Sequence, residues 1–311
     1  MPPRLPTRLR DSYHCLVKGF GKAASLFAPG PGATVVHRRA ASFAQKLWRF
    51  CQNKRVTFPA LIEPLIQRVR DEAPRAGVLL AVHDWSTLGF ASHESKADRA
   101  TLTHEHDVGY DLATVLVVRG ADGACLAPVS LRLTTKKKAV LTTETGPVAK
   151  IAHVDQIRPR MDRIAAMNLG ADVVHVIDRE ADAVGHWRDW AAAGHRALVR
   201  ADDRLVTHDG RERKQADIAD DMRAAGGLAD SGEALWHGRR ARRFTGEAVV
   251  VLERPARRRQ GKTQVDVPGE PLTLRLVVVE LRDPQGRLLA RWLLLTNVSA
   301  EAADAATVAA W

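Results

Sequence analysis

Cysteine and long apolar runs are what this 311-residue sequence has least of. Its three cysteines, Cys15, Cys51 and Cys125, are far apart, and because there is no Cys-x-x-C pair, neither a zinc knuckle nor a disulfide framework is predicted. No apolar run approaches the about 20 residues that a membrane-spanning helix needs. Residues 1–6 lack the apolar core of a secretory signal. These absences predict a soluble cytoplasmic protein with reduced thiols and no membrane partner.

Positive charge, in contrast, is abundant. The chain has 47 Lys and Arg against 36 Asp and Glu, a formal net charge of +11 and a pI near 10.0. Such an excess favours a polyanionic partner, most simply nucleic acid. The alternative is a generally Arg-rich chain from a GC-rich coding sequence, so the charge supports this partner without proving it.

Residues 1–76 are predicted to form an irregular leader and a small basic helical section. Three prolines among the first six residues, and a Pro/Gly-rich stretch at 28–32, disfavour a helix over the first 40 residues. From 41 to 76, apolar residues recur at helical spacing among several Lys and Arg.

Residues 77–200 alternate between strand and helix patterns. The predicted elements are strands 78–83, 110–118, 124–134, 173–177 and 197–199 and helices 148–168 and 179–193. The glycine-containing turn 119–123 predicts a hairpin between the second and third strands. This order indicates an α/β fold with a mixed sheet flanked by helices.

The pattern changes after residue 200. Residues 201–290 show β runs at 247–252 and 272–281 among basic loops, which predicts a mostly β insertion. Residues 291–311 return to the core with an apolar strand at 292–296 and a terminal helix from about 300.

Two acids stand where strands end. Asp84 closes the run Val78–His83, and Asp178 closes Val173–Ile177. An acid at the carboxyl edge of a sheet is well placed to bind a divalent metal or to face a phosphate. Two such acids are the minimum for two-metal phosphoryl chemistry.

Three segments together resemble a known family. Asp84-Trp-Ser-Thr-Leu, Asp178-Arg-Glu-Ala-Asp182 and Trp292-Leu-Leu-Leu-Thr296 are similar, in order, to motifs of the DDE transposases of bacterial insertion sequences. The branch is the one that forms DNA hairpins and carries a β insertion in a ribonuclease-H-like core, and the resemblance covers roughly residues 40–311. It implies that the mixed sheet has a ribonuclease-H-like fold.

The resemblance also implies a mechanism. Asp84 and Asp178 would hold two Mg²⁺ ions, or Mn²⁺ as a substitute, for hydrolysis and strand transfer at double-stranded transposon ends with inverted repeats and at target DNA. Trp292 matches the position on which a flipped base stacks, although a buried core aromatic is the alternative interpretation. Arg200 matches a position that grips the DNA end. The implied location is the cytoplasm, in association with the nucleoid.

The family pattern includes a third acid that residues 1–311 do not supply. It is a Glu in a Tyr…Arg…Glu…Lys signature, and the chain stops at Trp311, where that signature is expected to begin. We therefore expect a C-terminally truncated transposase that is catalytically incomplete alone. One alternative is a non-catalytic DNA-binding or dominant-negative fragment, and another is a stand-alone nuclease that uses Asp84, Asp178 and an acid such as Glu280. A homodimer and a complex with full-length transposase are both left open as assemblies.

The remaining polar clusters receive simpler interpretations. Glu180 and Asp182 are expected to be helix N-terminal and supporting charges rather than metal ligands. His104–Asp107 is expected to be a solvated loop, and His83 is expected to pack in the core. The basic residues expected to make sequence-independent contacts with the DNA backbone are Arg242, Arg243 and Arg258.

Overall fold

The computed structural model describes residues 5–23, 40–74, 77–102, 104–260 and 263–311. Three helices come first: α1 (Thr7–Ala23), α2 (Ala40–Cys51) and α3 (Phe58–Glu72). The expectation of an irregular leader is wrong for α1, because its prolines precede the helix and its apolar side chains pack against Phe43 and Phe50 of α2. The Pro/Gly-rich stretch 28–32 lies outside the described residues.

The rest of the described chain is a strand-dominated α/β structure. Its elements are β1 (Val78–Gly89), β2 (Ala100–Thr101), β3 (Val108–Arg119), β4 (Cys125–Thr134), β5 (Ala139–Leu141), β6 (Pro147–Val148), α4 (Ile157–Ala166), β7 (Asp172–Ile177), α5 (Val184–Ala192), β8 (Arg196–Arg200), β9 (Leu205–His208), β10 (Arg211–Lys214), α6 (Gln215–Ala224), β11 (Ala229–Trp236), β12 (Arg239–Leu252), β13 (Ala256–Gln260), β14 (Thr263–Val267), β15 (Leu272–Arg282), β16 (Leu288–Thr296) and α7 (Ala305–Ala310).

Fourteen of these strands form one mixed sheet, whose main order is β10-β9-β12-β15-β16-β8-β7-β1-β3-β4-β5-β6. β1, β7 and β8 are parallel, whereas β3 and β16 run antiparallel to the strands beside them. The expected mixed sheet flanked by helices is confirmed at this level. The long strands β12 and β15 of the 201–290 segment are hydrogen-bonded into the same sheet, through β16.

Several predicted elements differ in detail. The predicted helix 148–168 is a short 3-10 turn followed by α4, so Pro159 lies in the first turn of α4 and does not kink it. The predicted helix 179–193 is divided at Asp182 into a 3-10 turn and α5. The helix α6 within the 201–290 segment was not predicted. α7 begins later than expected, at the N-cap Asp304, whose side chain accepts a hydrogen bond from the amide of Thr307 at 2.8 Å.

Helices cover both faces of the sheet. On one face, Val308 of α7 joins a buried cluster with Leu80, Val174, Leu198 and other strand residues, and we call this the α7 face. On the other, the α4 face, helices α3 to α6 contribute to two larger clusters. Among the described residues, no helix is both long and apolar enough to cross a membrane.

Candidate functional site

The register between β1 and β7 gives Asp84 and Asp178 equivalent positions. The last parallel pair is Val82 with Val176, and each acid lies two residues beyond its member of that pair. The backbone of Asp178 is still extended, with φ −75° and ψ 165°. Both acids therefore lie at the same height, Asp178 directly after β7 and Asp84 within β1. The prediction that a strand ends before Asp84 is wrong, because β1 continues to Gly89 through its pairing with β3.

Both acids also belong to one face of the sheet. Val82 and Val176 pack into the cluster beneath α7. Because side chains alternate along a strand, the residues two positions on lie on the α7 face as well. Both acidic residues are exposed, and Asp84 Oδ2 accepts a hydrogen bond from Ser86 Oγ at 3.0 Å. The arrangement gives two accessible carboxylates at the carboxyl edge of parallel strands.

Arg200 occupies the next position along this edge. The last β7–β8 pair is Ile177 with Val199, so Arg200 is the neighbour of Asp178 across the strands. Its Nε lies 3.1 Å from Asp178 Oδ1, and both side chains remain about half exposed. The pair is therefore open to solvent, and an incoming anion can compete for the guanidinium group.

Trp292 extends the same row onto β16. Leu294 pairs with Arg200, and Trp292 lies two residues further along that strand face. The indole is partly buried against the cluster beneath α7 and meets Trp236 edge-to-face, with ring centroids 5.6 Å apart and an interplanar angle of 71°. It is thus both a packing residue and a partly accessible aromatic surface. Asp84, Arg200 and Trp292 lie on β1, β8 and β16, and Asp178 directly follows β7, which lies between β1 and β8.

The donor chemistry at this edge suits a hard cation. Carboxylate oxygens are the ligands Mg²⁺ takes from proteins, commonly one or two per ion together with water and substrate phosphate oxygens. Asp84 and Asp178 supply such oxygens, although Arg200 competes for one of them. Within the described part of the chain, no group of three or more His, Cys, Asp or Glu is arranged to hold a metal ion.

Glu280 lies on the opposite face of the sheet. Its side chain is fully buried and accepts hydrogen bonds from Arg282 Nη2 and Arg291 Nη2, each at 2.7 Å. Its strand neighbour Val279 packs under α7, so alternation directs Glu280 toward the α4 face. These contacts give no support to Glu280 as a third metal-binding acid beside Asp84 and Asp178.

Asp182 is a buried anchor between two loops of the site. Its Oδ1 accepts from Trp187 Nε1 at 3.0 Å, while Oδ2 accepts from the Asp202 amide at 2.9 Å and from Arg204 Nε at 3.0 Å. Burial raises the pKa of this carboxyl, and Arg204 opposes that rise. The carboxylate thereby fixes the loop after Asp178 to the loop after β8. Glu180, by contrast, is exposed.

The three predicted backbone-contacting arginines have different surroundings. Arg242 is exposed and paired with Asp230 at 2.6 Å. Arg243 is partly buried, and it donates hydrogen bonds to the carbonyl oxygens of Ser231 and Ala309. The backbone of Arg258 lies in β13, which pairs only with β14 in a separate two-stranded sheet. Their contact with DNA stays a prediction.

Two polar clusters were interpreted as structural. The segment 104–107 is a turn, as expected, in which residues 104–106 are exposed and Asp107 is partly buried. His83 is buried, as expected, and shares a 3.0 Å hydrogen bond with His175, which the sequence pattern did not indicate. Burial lowers the pKa of both imidazoles, that of His175 to about 3. A third feature, a group of buried arginines behind β1, was also missed.

Comparison of the sequence with protein-family models and with curated proteins finds no match in either.

Proposed function

We propose that the chain belongs to the class of proteins that process phosphodiesters with two divalent metal ions on a ribonuclease-H-like core. The observation that carries this proposal is the register that gives Asp84 and Asp178 equivalent positions on adjacent parallel strands, with Arg200 3.1 Å from Asp178. Exposed carboxylates and an adjacent guanidinium suit a substrate that brings both phosphate oxygens and negative charge.

Within that class, we assign it to the DDE transposases of bacterial insertion sequences, in the hairpin-forming branch. The three motifs that resemble this family fall on β1, on the turn after β7 and on β16, and Asp84, Asp178 and Trp292 lie in one row across the α7 face of the sheet. The net charge of +11 supports a DNA partner.

Each residue then has a distinct role. Asp84 and Asp178 would hold the metal ions, which when bound activate the attacking water or 3′-hydroxyl and stabilise the charge on the scissile phosphate. Arg200 binds a phosphate oxygen of the DNA end and releases Asp178 as it does so. Trp292 offers a flat surface to an extruded base, which would otherwise lose its stacking partners.

Residues 1–311 contain no match to the Tyr…Arg…Glu…Lys signature that holds the third acid of the family pattern. The proposal is that complete activity requires a chain that also contains this signature. Residues 1–311 would contribute DNA binding and two of the three metal-binding acids.

The test is cleavage of a supercoiled plasmid that carries the inverted repeats flanking the gene, with Mg²⁺ or Mn²⁺. The chain extended through the downstream reading frame should cut at the repeats, and Asp178→Asn should reduce cutting by at least about 100-fold, since metal binding and phosphate orientation both depend on that carboxylate. Asp172→Asn is the matched control, because Asp172 is at the other end of β7 and pairs with Arg196 on β8 in the same way.

The outcomes separate the candidate functions. Unchanged cutting by Asp178→Asn, or equal loss in both variants, contradicts the proposed site. If residues 1–311 bind the repeats without cutting while the extended chain cuts, the function of residues 1–311 is non-catalytic DNA binding. That second candidate is favoured by the two-acid content of the site and the absence of a third ligand among the described residues.

A further inference from the structure

A second group of polar residues lies behind Asp84, on the α4 face. Trp85 of β1 pairs with Ala113 of β3, which pairs in turn with Arg132 of β4. Arg160 of α4 covers this row, with its guanidinium carbon 5.4 Å from the centroid of the Trp85 ring. Arg132 and Arg160 therefore lie on the reverse side of the strands that carry the candidate site.

Both guanidinium groups are buried and incompletely hydrogen-bonded. Arg132 is 5% exposed and Arg160 is 2% exposed. One nitrogen of Arg132 donates to the carbonyl oxygen of Ala149, and one of Arg160 donates to Gln156 Oε1. Arg132 Nε and Arg160 Nε and Nη1 have no hydrogen-bond partner among the described residues. A buried cation in this condition is costly unless a counter-charge reaches it.

The charges around this pair leave it net positive. Asp111 acts on both guanidinium groups, and it also contacts His153 Nε2 at 3.1 Å. Arg163 adds a further like charge, though it is paired with Glu144 at 3.1 Å. Burial first, and then the neighbouring Arg132, lower the pKa of Arg160 to about 10, well above neutral pH.

A cavity of about 510 Å³ lies beside this group; Asp111 lines it, whereas Arg132 and Arg160 are not among its lining residues. Its wall includes Gln156, which bonds Arg160, and Thr134, whose hydroxyl has no hydrogen-bond partner among the described residues. The lysines Lys136 and Lys150 stand at the same cavity. The cavity therefore combines a hydroxyl donor and two ammonium groups with one carboxylate, that of Asp111, and the two buried arginines add net positive charge close to it. We call it the reverse pocket.

We propose that the reverse pocket binds a phosphate group. A phosphate brings both the negative charge that Arg132 and Arg160 lack and acceptor oxygens for the donors on the wall. Where the group is a nucleic-acid phosphodiester, which rests on the proposed function, a DNA strand bound there passes β1 on the face opposite Asp84. Trp85 links the two sides, since it follows Asp84 in the chain and stacks on His153 with ring centroids 5.6 Å apart.

The first test measures thermal unfolding of the protein in phosphate or pyrophosphate against chloride at equal ionic strength. Phosphate should raise the Tm of the wild type by at least about 2 °C at millimolar concentration. Arg160→Met should lose that response, and its Tm in chloride should equal or exceed that of the wild type, because an unpaired buried charge is removed. Arg163→Met, one turn along α4 and already paired with Glu144, should keep the response.

A second variant tests the pocket without the replacement of a buried charge. Thr134→Val conserves shape and removes only the unpartnered hydroxyl, so it should leave the Tm in chloride unchanged and weaken the phosphate response. A lower Tm of Arg160→Met in chloride together with an unaltered phosphate response would assign Arg160 a structural role and overturn the proposal.

The source of the phosphate is distinguished by DNA binding in EDTA. If the pocket takes a backbone phosphate, Arg160→Met should reduce the slope of log Kd against log salt concentration by about 1. A lost Tm response with an unchanged slope identifies a free phosphate as the ligand. Plasmid cutting tests the transposase separately, because the phosphate response of the reverse pocket requires neither Asp178 nor metal.

Discussion

Replacing Asp182 tests whether a buried carboxylate holds the candidate site together. Its side chain is fully buried and accepts hydrogen bonds from Trp187, the Asp202 amide and Arg204. Asp182→Ala leaves the Trp187 N–H without a partner, which costs about 1–3 kcal/mol, and it removes the counter-charge of the Arg204 guanidinium. Breaking a buried ion pair costs about 3–5 kcal/mol, but Arg204 is 18% exposed and can recover some hydration. We therefore expect a loss of about 3 kcal/mol in the free energy of unfolding.

Asp182→Asn should cost less, about 1 kcal/mol. The raised pKa of Asp182 means that burial opposes its ionised form, so removal of the charge alone sacrifices little. One oxygen of an amide can still accept from the donors that face Oδ2, while its NH₂ group opposes the Trp187 N–H.

Urea unfolding at pH 7.5, followed by tryptophan fluorescence, measures both variants. Asp189→Ala is the control on α5, the helix that follows Asp182, because Asp189 is exposed and pairs with Arg158 at the surface, where a pair contributes about 0–1 kcal/mol. The reasoning is refuted if Asp182→Ala loses no more than Asp189→Ala with an unchanged m-value.

Three further predictions concern acid stability, strand packing and DNA affinity. Burial lowers the pKa of His175 to about 3, so below the ordinary histidine pKa of about 6.5 the unfolded chain binds more protons than the folded chain. The free energy of unfolding should therefore fall by about 2 kcal/mol from pH 7.5 to pH 5. Urea unfolding at the two pH values should show a smaller fall for His175→Asn, and equal falls would contradict this prediction. Gly109→Ala should lower the free energy of unfolding by about 1–3 kcal/mol or more, because the new Cβ would lie 2.0 Å from a carbonyl oxygen of the paired strand. In the same urea assay, Gly89→Ala should be nearly neutral, since no described atom lies within 4 Å of its Cβ, and equal effects of the two variants would contradict the clash. Arg200→Gln should weaken binding of repeat DNA and lower its salt slope by about 1, while Arg196→Gln at the other end of β8 should leave the slope unchanged, as titrations at several salt concentrations would reveal.

The main strands and the position of Asp178 directly after one of them were predictable from sequence. The apolar run that stops at Asp178 is a local signal, and the hairpin between β3 and β4 follows from its turn residues, whereas β1 continues past Asp84 because its pairing with β3 extends to Gly89. The register that makes these acids neighbours is not local. It depends on how β7 docks beside β1, whose paired residues are 94 positions earlier in the chain (Val82 with Val176), and no periodicity encodes this pairing.

Other features were hidden because tertiary contacts decide them. The break at Asp182 interrupts a helical pattern because its carboxylate bonds groups on the loop after β8. α1 was concealed by the prolines that precede it. Arg132 and Arg160 read as ordinary surface charges in sequence, and only the packing of α4 over β4 reveals their burial.

The position of β16 has a consequence for synthesis on the ribosome. One edge of β8 pairs with β16, and it stays unpaired until β16 has been synthesised, because Leu294 follows its partner Arg200 by almost 100 residues. At about 5–20 residues per second, that edge stays unpaired for roughly 5–20 s. During this interval the nascent chain presents unsatisfied backbone groups beside Asp178, where a chaperone or a second nascent chain can bind.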